Sequence, residues 1–239
     1  MKGPDLNQID VVILCGGKGE RLKGVVKDRP KPMADISGRP FLDILIEHLR
    51  GCGFRRFILC AGYKGEMIKD YYAKKPGLSE IMTVLEGNPL GTGGAIKNAG
   101  PTVKSNPFLV ANGDSFCSID YRDLVRFHYE KKALYTVAVV KIKENQDGGL
   151  VSLDSQDRVT GFNEKTESRG AGYVNAGVYL LDKEVLNVIK SGEKVSMEYD
   201  VFPKLTGRGF YGYPVDGGLT DIGTPERYRK AQELLKNVT

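Results

Sequence analysis

The residues with the greatest capacity for chemistry begin at Gly16-Gly17-Lys18-Gly19-Glu20-Arg21-Leu22, directly after the apolar run Val11-Val12-Ile13-Leu14-Cys15. Glycines let the backbone approach closely, so such a cluster after a strand can turn several N–H groups toward a polyanion. The spacing is neither the dinucleotide fingerprint G-x-G-x-x-G nor the G-K-[ST] of a Walker loop. Alone, the cluster reads equally well as a tight turn. Arg21 and the stretch Lys27-Asp28-Arg29-Pro30-Lys31-Pro32-Met33 add the charge that a polyanion needs. Pro30 and Pro32 fix φ on both sides of Lys31 and remove two backbone donors. A lysine held that way suits a phosphate, and Arg21 offers the planar fork that binds phosphate oxygens in pairs. Lys27 and Arg29 read equally well as a solvated basic loop.

An acid follows in Phe108-Leu109-Val110-Ala111-Asn112-Gly113-Asp114. Asp114 stands just past a buried strand, where open α/β sheets bind ligands. Mg²⁺ takes one or two carboxylates together with phosphate oxygens and water, although Asn-Gly-Asp is also an ordinary turn. Glu86-Gly87-Asn88-Pro89-Leu90-Gly91-Thr92-Gly93-Gly94 forms a glycine-rich loop-to-helix junction, where backbone groups can read a base or a phosphate. Asn175, in Tyr173-Val174-Asn175-Ala176-Gly177, carries both a donor and an acceptor for a hydroxyl.

These residues need a frame, and the hydrophobic pattern supplies one. Residues 10–15, 56–60, 81–86 and 107–111 are short apolar runs of the kind buried on both faces of a parallel sheet. Helices are expected over about 40–50, with Pro40 as first helical residue, and over 65–74, 92–99 and 120–132. Alternation of this kind predicts a three-layer α/β/α fold. In the second half, 134–142, 149–153, 158–162 and 173–180 read as strands separated by Asp/Gly turns, hence hairpins added to the sheet. Thr224-Pro225 caps a last helix.

With 239 residues, 41% hydrophobic and 27% charged, and no repeat or linker, one domain over 1–239 is the economical expectation. No apolar run reaches the ~20 residues of a membrane helix, and Met1 to Asp10 lacks a signal-peptide core, so a cytoplasmic protein is expected. The formal charge of +5 favours anionic partners, but it is not concentrated in a basic run with interleaved aromatics, so no nucleic acid is expected. Four scattered cysteines without a C-x-x-C pair and two histidines argue against zinc; the cysteines read as small buried hydrophobes.

Taken together, Gly16 to Leu22 and Pro30-Lys31-Pro32-Met33 resemble the signature of the sugar-phosphate nucleotidyltransferases, or nucleotide-sugar pyrophosphorylases, and the resemblance runs from the first strand to the last helix. Val26 to Ala34 and Gly38-Arg39-Pro40-Phe41-Leu42 are most similar to the heptose 1-phosphate guanylyltransferases. The resemblance implies a Rossmann-like fold with a predominantly parallel mixed sheet, a nucleotide-binding part over about 10–133, a sugar-phosphate part over about 134–223 and a C-terminal helix over about 224–237. It implies Mg²⁺ on Asp114 and Asp221, and catalytic roles for Arg21, Lys31, Asp114 and Lys165. Leu14, Gly16, Gly17, Gly19, Arg21, Lys31, Glu86, Gly91 and Thr92 would hold the nucleotide, with Glu86 and Gly91 near the base. Asn112, Glu164, Lys165, Asn175 and Gly177 would hold the sugar phosphate. The implied activity is nucleotide-sugar biosynthesis, with release of pyrophosphate, first from GTP and D-glycero-D-manno-heptose 1-phosphate. A Gly-Lys-Gly-Glu-Arg version occurs in uridylyltransferases for amino-sugar phosphates. Another base (UTP, CTP or dTTP) with a hexose or amino-sugar phosphate is therefore the alternative, and a non-catalytic nucleotide-binding relative is the alternative of another class. A nucleotide-sugar-consuming glycosyltransferase normally carries Asp-x-Asp, whereas Asn112-Gly113-Asp114-Ser115 lacks the second acid. Oligomeric state is left open, a homo-oligomer included.

Overall fold

A computed structural model of the chain describes residues 5–75, 80–142, 149–163, 172–236 and 238. Strand β1 (Val11–Leu14) leads into the glycine loop, and a small hairpin follows, β2 (Asp35–Ile36) with β3 (Arg39–Pro40). Helix α1 (Phe41–Cys52) starts one residue later than the sequence suggests. Pro40 caps it with ψ 139°, because the Phe41 N–H is already committed to the Ala34 carbonyl at 2.9 Å and holds the chain extended through the hairpin. Strand β4 (Phe57–Ala61), α2 (Gly65–Ala73), β5 (Ile81–Leu85), α3 (Gly91–Ala99), β6 (Phe108–Asn112), β7 (Ser115–Cys117) and α4 (Tyr121–Glu130) complete the first half. In the second half come β8 (Tyr135–Ile142), β9 (Leu150–Leu153), β10 (Val159–Asn163), β11 (Gly172–Leu181), α5 (Val185–Val188), α6 (Phe202–Leu205), β12 (Phe210–Val215), β13 (Leu219–Asp221) and α7 (Pro225–Leu234). The Thr224 side chain accepts from the Arg227 N–H, so the expected cap is present.

The strands β5-β4-β1-β6 are mutually parallel, and β11 adds antiparallel to β6. Strand β11 then pairs with β8 along most of its length, and β8 carries β12 in parallel on its outer edge. Beyond the end of β6, the first residues of β11 pair with β9, which forms the expected hairpin with β10. Chain order runs outward from β1 to β4 and β5, then jumps back to β6 on the other side of β1. That reversal opens a crevice at the carboxyl ends of β1 and β6, the place where such sheets take ligands. The residues following those two strands are the glycine loop and Asp114.

Alternation along the strands divides the core between the two faces. Val11 and Ile13 of β1, with Phe57 and Leu59 of β4, join the apolar sides of α1, α2, α4 and α7. Val12, Ile58 and Val110 face Ala95, Ile96 and Ala99 of α3 together with Phe202 and Leu205 of α6. All of these side chains are 4% exposed or less, each contributing roughly 1.5–3 kcal/mol for the larger aliphatics and aromatics. Cys15, Cys60 and Cys117 are buried as the sequence suggests, while Cys52 is half-buried. Among the described residues, no helix is long and apolar enough to cross a membrane.

Three polar residues in this frame show how burial is compensated. Asp43, 5% exposed, accepts from Tyr72 Oη at 2.8 Å, Tyr71 Oη at 2.5 Å and Lys75 Nζ at 2.5 Å, which ties α1 to α2 and to Lys75 just beyond it. Asp10, below β1, is bound by Arg56 and by the backbone of Lys104 and Ser105. His128 is 3% exposed, with Nδ1 2.8 Å from Thr136 Oγ1, and burial pushes its pKa down to about 4, against a smaller opposing effect of Asp182. The unfolded chain takes up this proton near the ordinary 6.5 and the folded chain only near 4. Stability present above pH 6.5 is therefore lost as pH falls toward 4, at up to about 1.4 kcal/mol per pH unit. Urea midpoints should fall over that window and do so less steeply in His128→Gln; identical slopes would remove His128 as the cause.

Candidate active site

The glycine loop leaves β1 through Gly16 and Gly17, and Gly19 at φ 60° begins the short turn that carries Arg21. Lys31 opens a second short turn, capped by Pro30, and its stem lies beneath the loop. A Cβ on Gly19 would come within 3.0 Å of the Lys31 Cβ. With its side chain only 12% exposed, Lys31 reaches forward to pair with Asp114 Oδ2 at 2.6 Å.

Asp114 and Asp221 are brought together by backbone pairing. Strand β13 runs antiparallel to β7 with Asp221 opposite Ser115, and the Ile222 N–H donates to the Asp114 carbonyl at 3.1 Å. Asp221 accepts from the Gly223 N–H at 2.7 Å and from Arg227 Nη1 at 3.3 Å. The cations converge on the same point. A Cβ built on Gly223 would meet Asp221 Oδ1 at 2.7 Å, Arg21 Nη2 at 3.5 Å and Lys31 Nζ at 3.7 Å. Arg21, Lys31, Asp114 and Asp221 thus form one constellation, drawn from four separate segments. Asp114 has one carboxylate oxygen on Lys31, while the other accepts from the Ser115 hydroxyl at 3.3 Å. Each carboxylate oxygen has a second lone pair, and two carboxylates are a hard donor set that Mg²⁺ accepts. No group of three or more His, Cys, Asp or Glu suited to a metal occurs among the described residues. An ion here would complete its shell with phosphate oxygens and water.

From this constellation a cavity of about 700 Å³ extends between the ends of β1, β5 and β6. Leu14, Gly16, Gly17, Asn112 and Asp114 line one part, and Glu86, Gly91 and Thr92 another. The Glu86 carboxylate rests directly on Gly16, where any side chain would collide with it. Glu86 also accepts from the Leu90 N–H at 3.1 Å. Burial raises its pKa, and the Leu90 hydrogen bond opposes that rise. Gly91 stands at φ 71°, and a Cβ there would approach the Val195 carbonyl to 2.5 Å. That carbonyl accepts from the N–H groups of Gly93 and Gly94, at 2.8 and 3.2 Å, which brings Lys194 into the cavity wall. Only glycine combines that φ with that contact.

The other expected residues have more particular surroundings. Thr92 donates to Glu198 Oε2 at 2.7 Å and accepts from the Met197 N–H at 2.8 Å, so its hydroxyl ties two distant segments together. Asn175 donates to Tyr179 Oη at 2.7 Å and accepts from the Gly177 N–H at 2.9 Å, at an irregularity in the β11–β8 register. Gly177 packs on the Asn112 amide, and Asn112 Oδ1 is buried with no hydrogen-bond partner among the described residues. Glu164 and Lys165 lie outside the described residues. Arg227 and Lys194 are additions to the residues the sequence singled out. A cation in the first turn of α7 opposes the helix dipole, and that is the signal by which Arg227 is recognisable as paired. Lys194 sits in an ordinary polar stretch and has no such signal.

A crevice at the sheet reversal, walled by glycine and closed by two aspartates with Arg21 and Lys31, has the charge and geometry suited to an enzyme that works on phosphate anions. Residues 10–238 match the nucleotidyl transferase family, and the chain belongs to it as a nucleotidyltransferase. It is 37% identical over 230 residues to D-glycero-alpha-D-manno-heptose 1-phosphate guanylyltransferase of Aneurinibacillus thermoaerophilus, covering 96% of this chain and 99% of that one. It is 35% identical over 237 residues to mannose-1-phosphate guanylyltransferase of Mycobacterium tuberculosis, covering 97% of this chain but 66% of that one. The crystal structure of HddC from Yersinia pseudotuberculosis complexed with GMP-PN superimposes with a TM-score of 0.83 at 38% identity, covering 95% of this chain and 99% of that one.

Proposed function

We propose that this enzyme transfers a guanylyl group from GTP to a heptose 1-phosphate, giving a nucleotide-sugar and pyrophosphate. The observation that carries the reading is the convergence of Arg21, Lys31 and Asp221 on Gly223, with Lys31 paired to Asp114, at one side of a cavity whose wall also holds Glu86. In the reaction an oxygen of the sugar phosphate bonds to the α-phosphorus, and the bond to the α–β bridging oxygen breaks. Both reactants are anions, so positioning and charge neutralisation dominate the barrier. Arg21 and Lys31 hold the triphosphate and take up charge that moves to the leaving diphosphate. Asp114 and Asp221 would hold Mg²⁺, which when bound supplies a Lewis-acid centre for the phosphate oxygens. The nucleophile is ionised near neutral pH and needs no general base; no histidine lines the cavity among the described residues.

Glu86 supports guanine in particular. A carboxylate accepts from the adjacent N1–H and N2–H₂ of guanine, whereas the corresponding edge of adenine offers an unprotonated nitrogen. The names of the relatives, and the GMP-PN in the similar structure, support the same base. The unpartnered Asn112 Oδ1 supports a hydroxyl donor on the ligand, because an unmet buried acceptor costs about 1–3 kcal/mol. Gly177 packs on that amide and Asn175 accepts from the Gly177 N–H; Asn175, Lys165 and Glu164 complete the proposed sugar-phosphate contacts. The whole chain acts as one domain on soluble substrates, in the cytoplasm. The test is pyrophosphate release from each of four triphosphates against heptose, mannose, other hexose and amino-sugar 1-phosphates. GTP with heptose 1-phosphate should give the highest kcat/KM. A preference for UTP with an amino-sugar phosphate would replace both halves of the substrate assignment, and no release with any pair would remove the reaction itself.

A further inference from the structure

A second, smaller cleft of about 190 Å³ lies beside the glycine loop, and the reaction described above assigns it no ligand. Its lining includes Lys18, Lys23, Lys27, Arg29 and Lys31 with Tyr63, and no acid. Lys18, Lys31 and Tyr63 also line the larger cavity, so the two spaces share walls. Gly19 is part of the boundary and places no side chain between them.

The walls of this cleft are held in place. Lys64 donates to the Lys27 carbonyl at 2.9 Å, and its ammonium lies 5.6 Å from the Tyr63 ring centre. Backbone bonds from Val25 and Val26 to the Leu22 carbonyl, both 2.9 Å, close the loop, and Pro30 is buried behind it. Charge is only partly balanced: Lys31 pairs with Asp114 at 2.6 Å, and Lys23 with Glu20 at 2.5 Å and Arg29 with Asp28 at 2.8 Å in exposed positions. Neither Lys18 nor Lys27 has an ion-pair partner among the described residues. Several cations held around one small space repel each other until a multivalent anion enters. The volume suits a diphosphate.

We infer that this cleft receives inorganic pyrophosphate as it leaves the active site and captures it in the reverse reaction, with Lys27 and Arg29 as the outer contacts. The inference rests on the proposed nucleotidyl transfer, whose leaving group must depart from the side opposite the sugar phosphate and passes Arg21 and Lys31. Lys18 and Lys31 would hand it on, since each belongs to both spaces.

The test compares the intact wild type with Lys27→Ala/Arg29→Ala and with the charge-conserving Lys27→Arg/Arg29→Lys. Pyrophosphate and inorganic phosphate are titrated calorimetrically, and KM for pyrophosphate is measured in the reverse reaction with the nucleotide-sugar that the wild type makes. The alanine pair should weaken pyrophosphate binding and raise its KM by about tenfold, clearly more than it raises the triphosphate KM. The charge-conserving pair should recover most of the affinity. Unchanged pyrophosphate affinity overturns the inference, as does an equal loss for triphosphate and pyrophosphate, which would make these cations a general field. Inorganic phosphate bound as tightly as pyrophosphate would overturn it too, making this a simple anion site. If the wild type releases no pyrophosphate from any substrate pair, the reaction falls, and the calorimetry still decides the cleft. Should the alanine pair not fold, Lys27→Gln and Arg29→Gln singly carry the same comparison.

Discussion

Asp114→Asn should lower kcat by about a thousandfold or more and leave the fold intact. The side chain is 37% exposed, and Asn keeps its shape while removing the charge. The same carboxylate occupies Lys31 Nζ at 2.6 Å, so on the proposed reaction substrate phosphate and Asp114 compete for one ammonium. The substitution should therefore separate two effects. Turnover collapses, while metal-free triphosphate binding holds or tightens because Lys31 is released. Thermal unfolding of the variant, with and without GTP in chelator, reads the second effect alongside steady-state pyrophosphate release. Activity within tenfold of wild type would sink the role assigned to Asp114.

Lys31→Met should cost about a hundredfold in kcat/KM. Methionine retains most of the stem that packs under Gly19, so this change isolates the charge better than alanine does. Lys31→Arg should rescue little. The guanidinium is wider and flat, and the space between the loop, Asp114 and Gly223 fits a compact ammonium. A variant as active with arginine as with lysine would show that any cation suffices there. Circular dichroism and a urea midpoint close to wild type would keep either loss attributable to chemistry.

Much of the site was legible because its parts are local. A buried strand, the glycines after it, the prolines around Lys31 and the aspartate past the next central strand each leave a short, readable pattern. Thr224-Pro225 announced α7 for the same reason. What escaped depends on partners far along the chain. Strand β12 closes the sheet on β8 across about seventy residues, and no pattern within 210–215 names that partner. The docking of Val195 on the N-terminus of α3 joins segments about a hundred residues apart, and with it comes Lys194. Pro40 missed by one position, because a backbone bond to Ala34 outweighed its own preference for the first helical turn. The family resemblance named Asp221 beside Asp114, but the β7–β13 pairing that brings the two together left no sign in the spacing.

Strand β11 has a consequence for how such an enzyme can change. Its last residues, Val178 to Leu181, are paired with β6, whereas only Tyr173 and Val174 pair with β9. Gly177, at φ 73°, stands between the two stretches. The sheet therefore has a seam. On one side lies the parallel half that carries the glycine loop and Glu86, and on the other a hairpin joined to β11 by a short ladder and to β12 by the Arg158–Tyr211 bridge and the Gly212 N–H on the Asp157 carbonyl. Insertions or exchanges in the hairpin leave the register of β6 with β1 untouched. An engineer can graft there without rebuilding the half that carries the glycine loop.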